Sequence, residues 1–381
     1  MVAPVPMLED LPDPHGKRVL LRADFNVPLS GGHIDDDLRI RAALPTIEWL
    51  VDHGAHVTAC SHLGRPKGKP DDRYTMGPVR DRLNDLLGDR AEHVELLENL
   101  RFDPGEEAND PAFVERLCDG QDMYVDDAFG AAHRAHASIV GPPSRGLPSA
   151  AGRLLAQEVE VLGGLLDDPR RPFVAVLGGS KVSDKLGVID ALLPKVDELV
   201  IGGGMCFTFL KALGHEVGAS LLEEDQVEVC RRFLDSGARI LLPTDIVALS
   251  PDGQIGDPSA GGEVRQTGQS VPPGWKGLDI GPGSAAEFGD EITGAGTVLW
   301  NGPMGVFEDD RFAAGTRHVA QAMADTKAFT VVGGGDSASA LALFGLAEDV
   351  DWVSTGGGAS LELIEQGDLP GLQALRGGST S

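Results

Sequence analysis

The sequence predicts an α/β protein with two doubly wound domains, each built on a parallel sheet, and a connector helix between them. Three observations support this fold class. The chain has 381 residues, which is more than one hydrophobic core usually serves. Apolar runs of strand length alternate with helical patterns in both halves of the chain, as in parallel sheets covered by helices on both faces. A segment rich in proline, serine and glycine, PPSRGLPS, separates the two halves.

In the first half, four apolar runs predict strands, and each run ends at polar or basic residues. These runs are RVLLRADFNVP, which ends at Asp24 and Asn26; AHVTACSHLGRP, which ends at His62 and Arg65; HVELLENLRF, which ends at Arg101; and DMYVDDAFG, which leads into GAAHRAHAS. Between the first two runs lies DLRIRAALPTIEWLVDHG, whose apolar residues recur at helical spacing before a glycine stop, which predicts a helix.

The second half repeats this alternation with glycine at the strand ends. The strand-like runs are FVAVLGGSK, ELVIGGGM, TVLWNGPMG, FTVVGGGDS and WVSTGGGAS. Ligands of open α/β sheets bind beyond the carboxyl ends of the strands. One half therefore presents basic side chains at its ligand edge, and the other half presents glycines.

The predicted domain boundaries follow from these patterns. Residues 1–150 form the first domain, residues 167–366 form the second, and residues 151–166 form the connector helix, read from AAGRLLAQEVEVLGGLLDD. This helix is the candidate hinge. The last segment, 367–381, is expected to pack back on the first domain.

The charge balance is strongly acidic, with 59 acidic against 32 basic residues and a formal net charge of −27. Such a surface repels nucleic acid and anionic lipid, and no basic stripe with interleaved aromatic residues is present. It indicates a highly hydrated surface of the kind that a high-salt cytoplasm favours. Against this background a local basic cluster is informative.

No targeting or membrane segment is recognised. Prolines and acids interrupt the N-terminal segment MVAPVPMLEDLPDPHGKR, and the longest uncharged run, Ile292 to Phe307, contains four glycines and a proline. The four cysteines form neither a CxxC pair nor a zinc spacing, which favours buried thiols in a reducing compartment. We expect a cytoplasmic protein.

The basic residues of the first half point to a small anionic ligand. Any one of them alone would pass for a surface residue, but six occupy strand ends or an adjoining helix start: Arg39, His62, Arg65, Arg101, Arg134 and His136. Arginine forks match phosphate and carboxylate oxygens, and Asp24 and Asn26 suit a hydroxyl group. His133 and His136 are three apart and could hold a metal, but the surrounding arginines favour an anion pocket, and His133 is assigned no role beyond packing.

The glycine loops of the second half are suited to phosphate groups. Glycine lets the backbone approach a ligand, and helix N-termini cradle phosphate oxygens. Lys181 and Lys185 are predicted at the start of one helix, four residues apart. Asp336, at a strand end, has the position of a carboxylate that holds Mg²⁺ on phosphates, and Glu308 suits a ribose hydroxyl. The alternative, that the glycines merely permit tight turns, is reasonable for one loop but not for the set.

Several enzyme classes lack their motifs here. The chain has no GxxxxGK[ST], no GxGxxG, no HExxH and no GxSxG. A nicotinamide oxidoreductase on a dinucleotide-binding sheet is therefore disfavoured. A non-catalytic nucleotide-binding protein would be expected to lack at least one of Arg39, Lys181, Lys185 and Asp336, and all four are present.

The motifs together closely resemble phosphoglycerate kinase, in that family's order and over nearly the whole chain. They are RADFNVP, SHLGRP, LLENLRF, AHRAHAS, GGSKVSDK, IGGGM, WNGPMGVFE, VVGGGDS and STGGGASLELIEQG. The resemblance implies two Rossmann-like domains, the first binding 3-phosphoglycerate and the second the nucleotide. It also implies a Mg²⁺-dependent kinase of glycolysis and gluconeogenesis that closes its domains for direct in-line transfer, and a monomer with small-molecule partners only. The acidic composition suggests a halophilic member.

The resemblance also implies site residues by their match to the family motifs. For the phosphoglycerate substrate these are Asp24, Phe25, Asn26, Arg39, His62, Leu63, Gly64, Arg65, Arg101, Arg134 and His136. For the nucleotide they are Gly179, Lys185, Gly203, Gly281, Asn301, Pro303, Glu308, Gly334, Gly335, Asp336 and Ser337, with Asp336 also on the metal. For catalysis they are Arg39, Lys181, Lys185, Gly357 and Gly358. Ser337 and Ala131 replace threonines usual in the family; only the second change removes a hydroxyl.

Overall fold

The structure, a computed structural model, describes residues 2–377 and divides the chain into two compact units. The first unit extends to Gly163 and takes in the chain again from Gln366, and the second unit is Gly164–Glu365. The division therefore falls inside the connector helix. Within the described chain, no helix is both long and apolar enough to cross a membrane.

The first unit is built on five parallel strands in the order β5-β4-β1-β6-β7. The strands are β1 (Arg18–Arg22), β4 (His56–Cys60), β5 (Val94–Leu96), β6 (Met123–Asp126) and β7 (Ser149–Ala151), with a small hairpin of β2 (Leu29–Ser30) and β3 (His33–Ile34). The first strand, β1, lies in the middle of the sheet. The next strands, β4 and β5, are added on one side of it, and β6 and β7 are added on the other. This is the doubly wound order, with a switch point beside β1.

Helices cover this sheet because their apolar residues fall on one face. In α1, Ile40, Ala43, Ile47 and Leu50 recur at helical spacing and are buried against the strands. The helices of the unit are α1 (Leu38–Asp52), α2 (Gly77–Leu87), α3 (Pro104–Glu107), α4 (Pro111–Cys118), α5 (Ala137–Ser144) and α6 (Arg153–Asp167), of which α6 continues into the second unit.

The second unit contains six parallel strands in the order β10-β9-β8-β14-β15-β16. They are β8 (Phe173–Leu177), β9 (Glu198–Ile201), β10 (Ile240–Leu241), β14 (Thr297–Asn301), β15 (Phe329–Gly333) and β16 (Trp352–Val353). A separate antiparallel sheet, β12-β11-β13, was not anticipated from the sequence; its strands are β11 (Asp245–Leu249), β12 (Val264–Gly268) and β13 (Lys276–Ile280).

Eight helices complete the described chain, seven in the second unit and one in the first. Those of the second unit are α7 (Leu186–Leu192), α8 (Cys206–Ala212), α9 (Val227–Leu234), α10 (Pro282–Gly294), α11 (Ala314–Asp325) and α12 (Gly335–Phe344); α13 (Gly358–Gln366) runs up to its end. The last helix, α14 (Pro370–Leu375), belongs to the first unit, where Gly371 N donates to Ala132 O at 2.9 Å. Of the predicted returning segment 367–381, residues 378–381 lie outside the described chain.

The connector helix begins two residues later than predicted. Ala151 is the last residue of β7, and α6 starts at Arg153. Asp127, which follows β6, fixes this start because its Oδ1 accepts from Leu154 N at 2.9 Å and Leu155 N at 3.2 Å. Capping carboxylates of this kind satisfy the free N–H groups of a first turn. The cap lies far away in sequence, so the local pattern could not place it.

Replacing Gly152 by alanine is expected to destabilise the protein by about 1–3 kcal/mol, as overpacking does in tight sites. A Cβ on Gly152 would lie 2.2 Å from Asp127 Oδ1 and would displace the cap of α6. Gly164→Ala is the matched control in the same helix, because nothing lies within 4 Å of its added Cβ; it should be neutral or stabilise by about 0.5–1 kcal/mol. Urea unfolding midpoints measure both, and equal shifts for the two variants would contradict the packing argument.

Candidate functional site

In the first unit the predicted basic residues meet at the carboxyl edge of the sheet; we call Arg39, His62, Arg65, Arg101, Arg134 and His136 the basic cluster. His62 and Arg65 follow β4, Arg101 follows β5, and Arg134 and His136 follow β6, while Arg39 lies in the first turn of α1. Arg65 and Arg134 are exposed, whereas His62 and His136 are buried. The parallel sheet therefore places residues that are up to about a hundred positions apart in sequence at one edge.

Asp24 is the acidic partner of Arg39 in the cluster. Its Oδ2 accepts from Arg39 Nη1 at 2.6 Å, and the carboxylate is 8% exposed. Burial raises the pKa of Asp24, but the charges of Arg39 and Arg22 outweigh this effect and hold the pKa below its usual value. Asp24 is therefore an ionised acceptor that orients Arg39 at the start of α1.

Backbone contacts tie the loops of this edge together. Asn26 Oδ1 accepts from Gly64 N at 2.9 Å, and Arg101 Nη1 donates to Gly64 O at 2.9 Å. Gly64 has φ +61°, and a Cβ there would lie 2.3 Å from the Tyr74 ring, so only glycine fits. The loops after β1, β4 and β5 thus form one connected surface.

Arginines carry the positive charge of the cluster. Burial lowers the pKa of His62 to about 3, and burial together with Arg101 and Arg22 lowers that of His136 to about 4, so both imidazoles are neutral at pH 7. Burial likewise lowers the pKa of half-buried His133. The histidines are therefore hydrogen-bonding groups within an arginine field.

Two of the predicted substrate residues are not on this surface. Phe25 is fully buried in the core, with its N–H donating to Ser61 Oγ at 2.8 Å. Leu63 is 2% exposed, and both its backbone groups pair with the Asn99 side chain. The motifs alternate inward and outward residues, so Phe25 and Leu63 pack the core while their neighbours face the cluster. Arg101 also does not end a strand: β5 stops at Leu96, and Arg101 lies in a short 3₁₀ turn.

In the second unit the glycine edge encloses an apolar cavity of about 510 Å³. Its lining includes the apolar side chains of Phe207, Ile246, Leu278 and Val306, and also Glu308, which is exposed. Of the predicted nucleotide residues, the cavity is lined by Gly179, Gly203, Pro303, Glu308 and Asp336. An apolar slot with an exposed carboxylate in its lining suits a flat heterocycle attached to a sugar.

A smaller polar pocket of about 280 Å³ adjoins the cavity, since Gly179, Ser180 and Asp336 line both. The predicted residues that it brings together are Gly179, Lys181, Lys185, Asn301, Gly334, Gly335, Asp336, Ser337, Gly357 and Gly358. The helices α12 and α13 begin here, at Gly335 and Gly358, and direct their free N–H groups to the pocket mouth. The pocket is built for an anion.

Lys185 and Asn301 form the centre of this polar pocket. Lys185 Nζ donates to Asn301 Oδ1, and burial lowers the pKa of the Lys185 ammonium group to about 8. Asn301 Nδ2 is buried and has no hydrogen-bond partner among the described residues. It faces Gly333 and Gly334, where an added Cβ would lie 3.2 Å and 3.0 Å from it. A buried donor without an acceptor in a glycine-lined pocket fits a ligand oxygen.

Glycine at two loop positions follows from close backbone packing or from a positive φ. Gly203 has φ +63°, and a Cβ there would lie 2.6 Å from Gly179 N and 2.7 Å from Pro303 O. Gly179 has φ +104° and donates its N–H to Pro303 O at 3.0 Å. The loops after β8, β9 and β14 therefore touch through their main chains, and a side chain at Gly203 would separate them. At Gly179 the positive φ is what favours glycine, since an added Cβ would lie 3.6 Å from its nearest neighbour, Lys185 Cε.

Two predicted positions differ from the structure. Gly281 does not line the cavity: it precedes α10 and packs against Asp245, whereas Gly277 of β13 does line it. Lys181 and Lys185 do not begin one α-helix, since α7 starts at Leu186 after a 3₁₀ turn at Ser183–Lys185. The polar pocket nevertheless includes both lysines.

Asp336 fits a magnesium ion shared with a phosphate ligand. It lies in the first turn of α12, is exposed and lines both pockets. The described residues contain no group of three or more histidine, cysteine or acidic side chains arranged to hold a metal. A single carboxylate beside an anion pocket is the donor set typical of Mg²⁺ that takes its other ligands from phosphates and water.

Comparison with known proteins identifies the family. The family model described as phosphoglycerate kinase matches residues 8–367. The chain belongs to the phosphoglycerate kinase family. The phosphoglycerate kinase of Salinispora arenicola is 54% identical, with 94% of this chain and 96% of that protein covered. That of Rubrobacter xylanophilus is 51% identical, with 94% and 95% covered.

Solved structures agree with this assignment. The phosphoglycerate kinase of Coxiella burnetii is 38% identical and superimposes with a TM-score of 0.88, covering 98% of this chain and 99% of its own. That of Pyrococcus horikoshii has a TM-score of 0.81 at 31% identity, with 97% and 98% covered. Phosphoglycerate kinases are phosphotransferases of glycolysis with a carboxyl group as acceptor, and this chain catalyses that transfer between 1,3-bisphosphoglycerate and ADP.

Three buried residues beneath the basic cluster were missed from the sequence. Arg22 is 1% exposed, and Glu106 and Ser138 are fully buried. They are linked because Arg22 Nε donates to Ser138 Oγ at 2.8 Å and Ser138 Oγ donates to Glu106 Oε1 at 2.6 Å. The one available signal was an arginine at the end of the apolar run RVLLR, since an unpaired charge is not buried in a strand without a reason.

The pKa of Lys185 near 8 predicts unusual reactivity toward acylating reagents. Its labelling rate should follow an apparent pKa of about 8 instead of 10.5, because burial disfavours the ammonium form. In Asp336→Asn the apparent pKa should fall further, since the Asp336 carboxylate stabilises that cation. Peptide mass spectrometry across pH 6–11 measures both; an apparent pKa near 10.5, or no change in Asp336→Asn, would contradict this description.

Proposed function

We propose that the two adjoining pockets of the second unit bind ATP or ADP and that the basic cluster binds 3-phosphoglycerate or 1,3-bisphosphoglycerate. The observation that carries the proposal is the junction of an apolar cavity with a glycine and lysine pocket at Gly179, Ser180 and Asp336. A nucleotide has the same division into an apolar base and a charged phosphate chain.

On the nucleotide side, the base occupies the apolar cavity, with Gly277 replacing Gly281 as the glycine beside it. Glu308 accepts from a ribose hydroxyl. Lys181, Lys185 and the start of α12 bind phosphate oxygens, and Asn301 Nδ2 gains the acceptor that it lacks. Asp336 would hold Mg²⁺, which supplies charge neutralisation on the phosphates.

On the phosphoglycerate side, the arginines of the cluster bind the phosphate and carboxylate oxygens in bidentate geometry. Asp24 and Asn26 are placed for the ligand hydroxyl, at the strand end that adjoins Arg39. Arg39 is held by the buried carboxylate of Asp24, so its guanidinium is oriented before a ligand arrives. We assign it to the carboxyl end of the substrate, where the phosphoryl group is transferred.

The reaction needs no general base. The attacking groups, a carboxylate in one direction and an ADP phosphate oxygen in the other, are already ionised at neutral pH. Catalysis is therefore positioning in line and stabilisation of the charge on the transferred group. Arg39, Lys181, Lys185 and the N–H groups at Gly357 and Gly358 supply that charge stabilisation.

The decisive test is ATP-dependent phosphorylation of 3-phosphoglycerate with Mg²⁺, measured in a coupled assay over a range of salt concentrations. Turnover supports the proposed sites when both ligands also protect Lys185 and the arginines from modification. Turnover without protection of Lys185 or of the arginines would overturn the assignment of the two ligands to these sites. The cytoplasmic location, the monomeric state and the halophilic character stay predictions.

Arg39→Ala should lower kcat by about 10²–10³, the usual cost of one lost electrostatic contact in a reacting site. The KM for ATP should change little, because the arginine lies in the unit that binds phosphoglycerate. Arg41→Ala is the matched control, since Arg41 is on the same helix but half exposed and paired with Asp37 at 2.8 Å. Steady-state kinetics of both variants test the assignment; an unchanged kcat in Arg39→Ala removes Arg39 from catalysis.

Transfer requires the ligands of the two units to come into contact, so we expect the units to close when both are bound. The radius of gyration from small-angle X-ray scattering should fall with 3-phosphoglycerate and Mg²⁺-nucleotide together, and less with either alone. Gly152→Ala, which disturbs the start of α6, should change the size of this ligand-induced fall in the radius of gyration. No compaction with both ligands bound would count against domain closure.

A further inference from the structure

Arg22 occupies a position from which it can act only through other protein groups. It is the last residue of β1 and is 1% exposed, behind the basic cluster. Its Nη2 lies 3.0 Å from His62 Nδ1, its Nε donates to Ser138 Oγ at 2.8 Å, and its Nη1 donates to Ala23 O. All three nitrogens are therefore engaged inside the protein.

The contact between Arg22 and His62 fixes the protonation of the imidazole. A guanidinium group has only donors, so the nitrogen that it approaches must present a lone pair. His62 Nδ1 is therefore unprotonated. A neutral imidazole has one N–H, and with Nδ1 as acceptor that hydrogen must be on Nε2. A doubly protonated His62 would set two donors against each other.

We propose that Arg22 is a positioning residue for phosphoryl transfer, which holds His62 as the neutral Nε2–H tautomer so that the histidine offers the ligand a hydrogen-bond donor and no charge. This inference rests on the proposed binding of phosphoglycerate at the basic cluster. Arg22 itself contacts no ligand.

A chain of hydrogen bonds from Arg22 through Ser138 to Glu106 fixes the orientation of the Arg22 side chain. Glu106 is fully buried and accepts from Ser138 N at 3.0 Å and Ser138 Oγ at 2.6 Å. Because the single hydroxyl hydrogen of Ser138 is donated to Glu106, its oxygen lone pairs are left to accept from Arg22 Nε. Arg22 and Glu106 are thus a buried charge pair bridged by Ser138, and the loss of either partner would leave a buried charge unpaired.

The charges around His62 agree with the neutral form. The charged groups that act on it are Arg22 from β1, Asp24 after β1, Arg39 from α1 and Arg101 from the turn after β5. Burial is the largest effect and lowers the pKa of His62; Asp24 opposes it, and the three arginines add to it. Because three cations and one carboxylate surround His62, a positive charge on its ring is unfavourable. The imidazole therefore stays neutral through mildly acidic pH.

In this arrangement the arginines and His62 contribute to ligand binding in different ways. The arginines attract the anionic ligand. Neutral His62, with Nε2–H as its donor, binds an oxygen of the ligand at a defined angle, and its contribution does not change between pH 8 and pH 5.5. A charged histidine would instead strengthen binding as the pH fell.

The first test is ¹⁵N NMR of the full-length, histidine-labelled protein without ligand, with His62→Gln to assign the His62 signals among the ten histidines. The expected spectrum shows protonated Nε2 and unprotonated Nδ1 for His62 from pH 8 to 5.5. A hydrogen on Nδ1, or a doubly protonated ring at pH 6, would overturn the proposal. Because no ligand is present, this result is independent of whether phosphoglycerate binds.

The second test compares two substitutions of Arg22. Arg22→Lys retains a cationic N–H donor that reaches nearly as far as the guanidinium nitrogen on His62, so the Nε2–H tautomer should persist. Arg22→Met has no donor, so the hydrogen should divide between the two nitrogens and the pKa of His62 should rise. The same tautomer in both variants would overturn the role of Arg22. Should Arg22→Met fail to fold, the wild-type spectrum still decides, because a hydrogen on Nδ1 of His62 would overturn the proposal.

Activity separates this proposal from the proposed function. Arg22→Lys should retain most of the affinity for 3-phosphoglycerate at pH 8, and Arg22→Met should lose at least about tenfold through KM, with the KM for ATP unchanged in both. A protein that shows the expected tautomer but no 3-phosphoglycerate binding would reject the proposed site and leave the assignment of Arg22 and His62 standing. Equal KM values for the two variants would reject the link to the ligand.

Discussion

Parallel pairing of the central strands is the constraint on which both candidate sites depend. Arg22 of β1 is in register with Cys60 of β4 and Asp126 of β6, so three loops leave the sheet at the same height. In the second unit Asn301 of β14 is level with Leu177 of β8 in the same way. Parallel strands need crossover connections, and these helices return the chain from the carboxyl edge of the sheet to its amino edge before the next strand begins. Every ligand-facing loop is therefore delivered to one edge.

The two units use this shared geometry with different chemistry. The first unit fills its edge with side chains, and their charges are held by partners such as Asp24 on Arg39. The second unit brings main chains together, as Gly179 and Gly203 show, and adds Lys185 as a single buried cation. Side chains suit the proposed phosphoglycerate ligand, whose hydroxyl, carboxylate and phosphate groups need several distinct contacts. Bare backbone gives a flat base and a phosphate chain close approach at little steric cost.

The sequence alone was sufficient for features set by local pattern and strand-end topology. The alternation of runs predicted two parallel sheets, and the GGGDS motif predicted a position near a strand end for Asp336, which lies in the first turn of α12 just beyond β15. Features set by three-dimensional packing were beyond it. Phe25 shares a motif with ligand-facing neighbours yet turns into the core, and Gly277 takes the place expected of Gly281 because β13 belongs to an antiparallel sheet that local pattern did not reveal. Arg22 was missed since its partners are distant in sequence.

The burial of the Arg22–Ser138–Glu106 chain has a consequence for a protein with a formal net charge of −27. Dissolved ions screen exposed charges over about 8 Å at physiological ionic strength and over about 3 Å at 1 M salt. Exposed Arg65 and Arg134 lose their long-range attraction for an anion under such conditions. The buried hydrogen-bonded chain of Arg22, Ser138 and Glu106 is not accessible to those ions. A high salt concentration would therefore weaken the long-range attraction of the ligand to the cluster but would leave the geometry of the binding site unchanged.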